Sequence, residues 1–369
     1  VPPPIPEAYG RALARVGSAT LACLEAQEAA LRRLHPPLIA SLRERLAPLR
    51  DHLAEALVGY RGERPPAELE PFHDQLVEGA TSALAAVSHF VEPSPPERLA
   101  AGVLASMRDH ARAQEILYPL RLALPPLGAY YVEAALREPG AELDASRSDS
   151  GQLGIHLTRE EEAGGRGGFA LYVPERYHAD RPWPLVVALH GGHGRGRDFL
   201  WTWLREARGR GFLLLAPTSR GDTWSLDAPD RDATALRQML DVVCARWNVD
   251  RGSVLLTGLS DGATFTLLAG LAEHAPYTAL APVSGVLHPA SFARGDLPRA
   301  RGRRIYLVHG ALDWMFPVSL ARMARDQLAE AGAELVYREL DDLSHTYPRE
   351  ENARILAWFD SRLALLPRP

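Results

Sequence analysis

Ser260 stands in Gly258-Leu259-Ser260-Asp261-Gly262, between the apolar run Val254–Thr257 and the helix-like stretch Ala263–Glu273. Strand, sharp turn and helix form the setting in which a serine becomes a nucleophile. The glycines let the chain turn tightly, the hydroxyl is lifted clear of the sheet, and the helix start favours developing negative charge. A purely structural Gly-rich turn is the plainer alternative. The hydroxyl needs a base within hydrogen-bond reach. Of the 13 histidines, His345 is placed best: Asp341-Asp342-Leu343-Ser344-His345-Thr346 follows the last strand-like run and precedes a terminal helix near Asn352–Leu363. An acid that orients the imidazole is expected on another strand end between these two positions. Arg304–Val308 leads into His309-Gly310-Ala311-Leu312-Asp313-Trp314-Met315-Phe316-Pro317, which selects Asp313; Asp341 and Asp342 are rivals too close to His345 in sequence.

A tetrahedral oxyanion needs two preorganised donors. One is expected to be the N–H of Asp261, the other that of Gly192 in His190-Gly191-Gly192-His193-Gly194, just after the run Leu185–Leu189. The Asp261 carboxylate would disfavour an oxyanion, so it is expected to turn away into a salt bridge or hydrogen bonds. Trp224, Trp314 and Phe316 fall on loops at the same edge and are candidate substrate contacts, with core packing as the alternative. Trp201 and Trp203 fall there too, and Arg195 and Arg197 are either solvated or poised for a substrate carboxylate. Neither of the Gly-rich stretches, residues 164–168 and 191–196, has the features of a phosphate or dinucleotide loop, and His190 and His193 lack the carboxylates of a zinc site. No metal and no cofactor are expected.

These residues need a sheet to position them. Eight short apolar runs alternate with helical stretches: Gln152–Thr158, Phe169–Val173, Leu185–Leu189, Phe212–Ala216, Val254–Thr257, Thr278–Val283, Arg304–Val308 and Glu334–Glu339. The pattern predicts an α/β class chain, its mostly parallel eight-stranded sheet covered on both faces, with the first two runs forming an antiparallel edge hairpin. Before them, residues 1–140 read as an all-α domain of five or six helices, punctuated by Pro36-Pro37, Pro65-Pro66, Pro95-Pro96 and Pro125-Pro126. Residues 141–151 read as a linker and 152–369 as the catalytic domain.

With the serine, acid, histidine and His190-Gly191-Gly192 in place, residues from about 152 onward resemble the α/β-hydrolase superfamily. The nearest members are the phospholipase/carboxylesterase and polyhydroxybutyrate-depolymerase-like esterases, and Gly310 to Pro317 fits their GxxDxxxP acid motif. The resemblance implies an α/β-hydrolase fold and carboxylic ester hydrolysis through an acyl-enzyme, without cofactor or metal. The substrate is then a small-molecule or polymeric ester. A serine peptidase of the prolyl-oligopeptidase type is the alternative enzyme, and a non-catalytic binding protein on the same fold the alternative class. About twenty residues separate Val283 from Arg304, too few for an inserted helical cap. The helical domain is therefore expected either to serve as a lid, with Tyr130 and Tyr131 as contacts, or to mediate a homo-oligomer.

A net charge of −5 with interspersed acids and bases gives no basic stripe for nucleic acid. No apolar run is long enough for a membrane span. Cys23 and Cys244, the only cysteines, are expected to be buried thiols. Val1-Pro2-Pro3-Pro4 lacks the regions of a signal peptide, so a cytoplasmic location is expected; the missing initiator Met leaves secretion after removal of a leader as the alternative.

Overall fold

The computed structural model describes residues 5–93, 95–137 and 153–365. The chain divides into two units, Val1–Ala134 and Ala135–Pro369. The linker expected over 141–151 lies outside the described residues.

The first unit is helical, with α1 (Glu7–Arg32), α2 (Ile39–Arg61), α3 (Glu70–Val91), α4 (Pro96–Leu117) and α5 (Pro125–Tyr130). The prolines mark its boundaries: Pro36 opens the turn before α2, Pro66 precedes the turn before α3, Pro95 precedes α4, and Pro125 begins α5. A first-turn N–H has no intrahelical partner to lose, and the ring presets φ. α1 buries Tyr9, Val16, Ala19, Cys23, Leu24 and Ala30 along one stripe, and α3 packs Ala80, Ala83 and Ala86 inward, where small side chains let α4 approach.

This core also holds polar groups that satisfy one another. The Tyr9 and Tyr60 hydroxyls meet at 2.7 Å, with the His73 ring 4.3 Å from that of Tyr60, and Gln27 Nε2 donates to Ser106 Oγ at 2.6 Å. Tyr130 donates to Glu28 and Tyr131 to the Gln114 carbonyl, both at 2.6 Å. Both tyrosines are buried. They are thus committed to the interior of the helical unit, which corrects their assignment as lid contacts. Cys23 is buried and its thiol is pushed up to about 12 by desolvation, whereas Cys244 is only half-buried, a correction to the second expected buried thiol.

The second unit is built on strands β1 (Gly154–Leu157), β2 (Phe169–Val173), β3 (Trp183–Leu189), β4 (Leu213–Pro217), β5 (Val249–Leu259), β6 (Ala279–Val283), β7 (Arg304–Gly310) and β8 (Glu334–Leu340). Their order is β1-β2-β4-β3-β5-β6-β7-β8; β2 is antiparallel to both neighbours and the remaining pairs are parallel. β3, β4 and β6 are buried throughout, as a sheet packed on both faces requires. Helix α6 (Asp230–Arg246) adds Leu236, Leu240 and Val243 to the main apolar cluster, α7 (Asp261–Gly270) packs on β5 and β6, and α8 (Val318–Glu330) packs on β7 and β8. A short helix, α9 (Asn352–Phe359), closes the unit.

Register decides where the turns fall. Leu189 pairs with Gly258, Leu259 with Val283, Val283 with Val308, and Gly310 with Leu340, so β3, β5, β6, β7 and β8 end at one edge. Strand order reverses at β3 and β5, leaving the crevice in which open α/β sheets bind ligands. Among the described residues no helix is long and apolar enough to cross a membrane.

The Tyr9–Tyr60 pair makes the helical core testable. Tyr60→Phe leaves a buried hydroxyl on Tyr9 unpaired and is expected to cost about 1–3 kcal/mol. The double variant Tyr9→Phe/Tyr60→Phe should cost less than the sum of the two single changes, read from denaturant unfolding of the helical unit.

Candidate active site

Ser260 lies between the end of β5 and the start of α7, with φ 57° and ψ −119°. A side chain in this region is strained, and the surroundings must hold it there. The Ser260 N–H donates to Val283 O at 3.0 Å, and Ser260 O accepts from Thr264 N at 2.9 Å. A methyl group on Gly262 would fall 2.4 Å from His190 O, and one on Gly258 would fall 2.6 Å from Gly262 C. Both glycines of the motif are thus required by close backbone approach.

The serine, histidine and acid meet. His345 Nε2 lies 2.8 Å from Ser260 Oγ, and His345 Nδ1 lies 2.8 Å from Asp313 Oδ2. A carboxylate only accepts, so Nδ1 carries the proton and Nε2 is free to accept from the serine hydroxyl. The Asp313 side chain is fully buried, and its Oδ1 accepts from Met315 N at 3.0 Å and Phe316 N at 2.8 Å. Two backbone N–H groups of its own loop therefore aim the carboxylate. Asp341 and Asp342 are exposed.

His309, unremarked as a site residue in the sequence, supports that loop from inside. Its Nε2–H donates to Phe316 O at 2.8 Å and lies 3.4 Å from Asp313 Oδ2, and burial lowers its pKa and favours the neutral ring. The available signal was its position as the next-to-last residue of β7, directly before the acid loop.

The turn after β3 runs beside the serine. A methyl group on Gly191 would meet Ser260 Cβ at 3.5 Å, and one on Gly192 would meet Asp261 Oδ2 at 2.8 Å. Many bonds tie this turn to the loop that follows β4. Ser219 N donates to His190 Nε2 at 3.0 Å, Trp224 Nε1 to His190 O at 2.8 Å, and His193 N to Asp222 O at 2.8 Å. Arg166 donates to the carbonyls of Gly194 and Ser219, and Arg195 to those of Gly164 and Gly165. Arg195 is therefore a clamp between two Gly-rich loops.

Trp224 is 2% exposed and stacks on Phe265 at 5.3 Å. Its expected substrate contact is corrected: it positions the His190 carbonyl from within the core. Trp201 and Trp203 are likewise buried. Phe316 sets its ring edge-on to His345 at 5.2 Å, and Trp314 is 59% exposed at the rim. Asp261 takes one of the hydrogen bonds expected of it: its Oδ2 accepts from Thr223 Oγ1 at 2.5 Å, a methyl group on Gly192 would fall 2.8 Å from the same oxygen, and among the described residues it forms no salt bridge.

Residues 227–360 match the model of a family described as phospholipase/carboxylesterase. An oxidized polyvinyl alcohol hydrolase from Sphingopyxis sp. is 30% identical over 147 residues, 40% of this chain and 38% of that protein. A bifunctional acetylxylan esterase/xylanase from Neocallimastix patriciarum is 28% identical over 168 residues, 43% of this chain and 23% of that protein. The chain thus spans less than half the length of these curated relatives. Among solved structures, an acetyl xylan esterase from Aspergillus awamori superposes with a TM-score of 0.45 at 17% identity, covering 56% of this chain and 98% of that one.

Two predictions follow from the packing around the serine. Gly262→Ala must displace the His190 carbonyl and is expected to cost about 1–3 kcal/mol, seen as a lower denaturation midpoint. His190 is the second. Its Nε2 accepts a backbone N–H, and burial, aided by the guanidinium groups of Arg166 and Arg195, lowers its pKa from 6.5 to about 4. The unfolded chain takes up this proton first as pH falls, so the stabilisation is complete above pH 6.5 and is lost as pH falls through about 4. The loss amounts to about 3 kcal/mol. His190→Ala should be less stable at neutral pH and show a flatter unfolding profile across that window.

Proposed function

We propose that this chain, whose second unit has the α/β-hydrolase fold, is a serine-dependent carboxylic ester hydrolase. The observation that carries the reading is the unbroken chain of contacts from Asp313 through His345 to Ser260, at 2.8 Å for each link. The strained backbone of Ser260 and its neighbouring turn support it.

In this reading Ser260 Oγ attacks the ester carbonyl as His345 Nε2 takes its proton. Asp313 keeps the imidazole in the required tautomer and stabilises the imidazolium. The N–H groups of Gly192 and Asp261 receive the oxyanion; both belong to backbone already fixed by other bonds, so little reorganisation is needed during the reaction. His345 then returns its proton to the leaving alcohol. Water, deprotonated by the same nitrogen, then attacks the acyl carbon, and His345 passes that proton to Ser260 Oγ as the acyl–Oγ bond breaks and the acid leaves. Each step uses side-chain and backbone groups of the chain itself.

The family match and the esterase names among the relatives support ester bonds as the target. A small acyl ester is the first substrate to test. Ser260→Ala is expected to lower kcat on p-nitrophenyl acetate or butyrate by at least about a thousandfold, and Asp313→Asn by about a thousandfold or more, because both disrupt one working unit. A fluorophosphonate probe should label the intact chain and not Ser260→Ala. Equal activity of the intact chain and Ser260→Ala would overturn the proposal.

A further inference from the structure

Two histidines face the buried acid. His345 Nδ1 lies 2.8 Å from Asp313 Oδ2, and His309 Nε2, on the next-to-last residue of β7, lies 3.4 Å from the same oxygen. The other oxygen, Oδ1, accepts from the backbone of Met315 and Phe316. The side chains of His309 and Asp313 are both sealed from solvent, so an N–H dipole there is screened far less than one at the surface.

The state of the His309 ring follows from its contacts. Phe316 O, 2.8 Å away, can only accept, so Nε2 carries the hydrogen and turns its positive end toward that carbonyl and the Asp313 carboxylate. Nδ1 is buried and, among the described residues, has no hydrogen-bond partner. A proton on it would have no acceptor and would stand near the imidazolium that His345 becomes during the reaction. His309 is thus a fixed neutral dipole and not a second base. The other charged groups around the two rings have partners or lie in solvent. Glu339, opposite His309 across β7 and β8, is held by Arg322 of α8 and by Tyr337. Asp341 and Asp342, on the His345 loop, are exposed, and Asp261, beside Ser260, accepts from Thr223. The counter-charge that His345 meets is therefore that of Asp313, and His309 is the group that modifies it.

We propose that His309 is a positioning residue that sets how readily His345 takes up a proton: its N–H draws charge from the Asp313 oxygen that His345 shares, and so keeps His345 unprotonated and able to act as base down to lower pH. This rests on the ester-hydrolase reading. The influence passes through Asp313, because His309 is fully buried and does not meet the substrate. It also passes through Phe316, whose carbonyl His309 holds, whose N–H binds Asp313 Oδ1 and whose ring packs edge-on to His345.

The test is the pH dependence of kcat/KM for p-nitrophenyl acetate with the full chain, whose acid limb reports protonation of the free enzyme's base. His309→Phe keeps a ring and removes the donor. It is expected to move the limb upward by on the order of half a pH unit, because an Asp313 relieved of one donor is a stronger counter-charge for the imidazolium. Its plateau kcat should also fall with KM little changed, since Phe316 loses its hold. His309→Gln places an amide N–H near the site of Nε2 and should return the limb to its wild-type position. A ring that only braced the loop would lower the rate and leave the limb in place. A limb unmoved or moved down in His309→Phe overturns the proposal, as does a limb in His309→Gln that follows the Phe variant. Should His309→Phe fail to fold, NMR of nitrogen-labelled histidines in the wild type decides. His309 must keep its hydrogen on Nε2 and stay neutral while His345 titrates; a His309 protonated with or before His345 overturns the proposal. If no ester is hydrolysed and Ser260 resists the fluorophosphonate, the ester-hydrolase reading itself fails, and this inference with it.

Discussion

The parallel pairing of β5 with β3 and β6, carried to the last residues of the strands, is the constraint on which the second unit depends. It brings Leu189 opposite Gly258 and Leu259 opposite Val283, so the Ser260 N–H meets the Val283 carbonyl as the chain turns into α7. A serine at φ 57° costs on the order of 1–3 kcal/mol. That strain persists because every nearby alternative is blocked: Gly258 and Gly262 are in close backbone contact, α7 is packed on β5 and β6, and the turn after β3 presses from the other side.

The turn after β3 depends on partners remote in sequence. His190 accepts from Ser219, Trp224 holds the His190 carbonyl, and Arg166 bridges Gly194 and Ser219. This network consists largely of bonds to backbone atoms, so it fixes where N–H groups point without using the side chains that line the cleft. It also accounts for the number of glycines here: side chains would occupy the space that the clamps and the Asp261 carboxylate require. Burial makes the arrangement sensitive to acid, since a protonated His190 can no longer accept from Ser219.

The helical unit is governed by a different balance. Its stripes of Ala and Leu supply the apolar burial, while the Tyr9–Tyr60, Gln27–Ser106 and Tyr130–Glu28 contacts supply direction. Buried polar pairs stabilise less than apolar packing of the same volume, but each is costly to separate. They tie together residues far apart in the chain, including Gln27 with Ser106 and Glu28 with Tyr130.

By itself, the sequence determined the elements and the identities of the residues that carry reactive groups. Period-two and buried apolar runs give strands, proline pairs give helix boundaries, and glycine at Gly258 and Gly262 gives the turn; each is local steric or hydrophobic physics, legible in a few neighbouring residues. Ser260, Asp313 and His345 could be picked out because each follows a strand run that must end at one edge. What the sequence left undecided were the directions of side chains. Trp224 looked like a substrate contact and packs inward as a positioning residue; Tyr130 and Tyr131 looked like lid contacts and fill their own unit; His309 drew no attention and braces the acid loop. Asp261 was expected to find a salt bridge or hydrogen bonds, but that the partner is Thr223, 38 residues earlier, was not legible in the sequence. Such choices are made by partners distant along the chain, and only tertiary packing brings those partners within bonding distance.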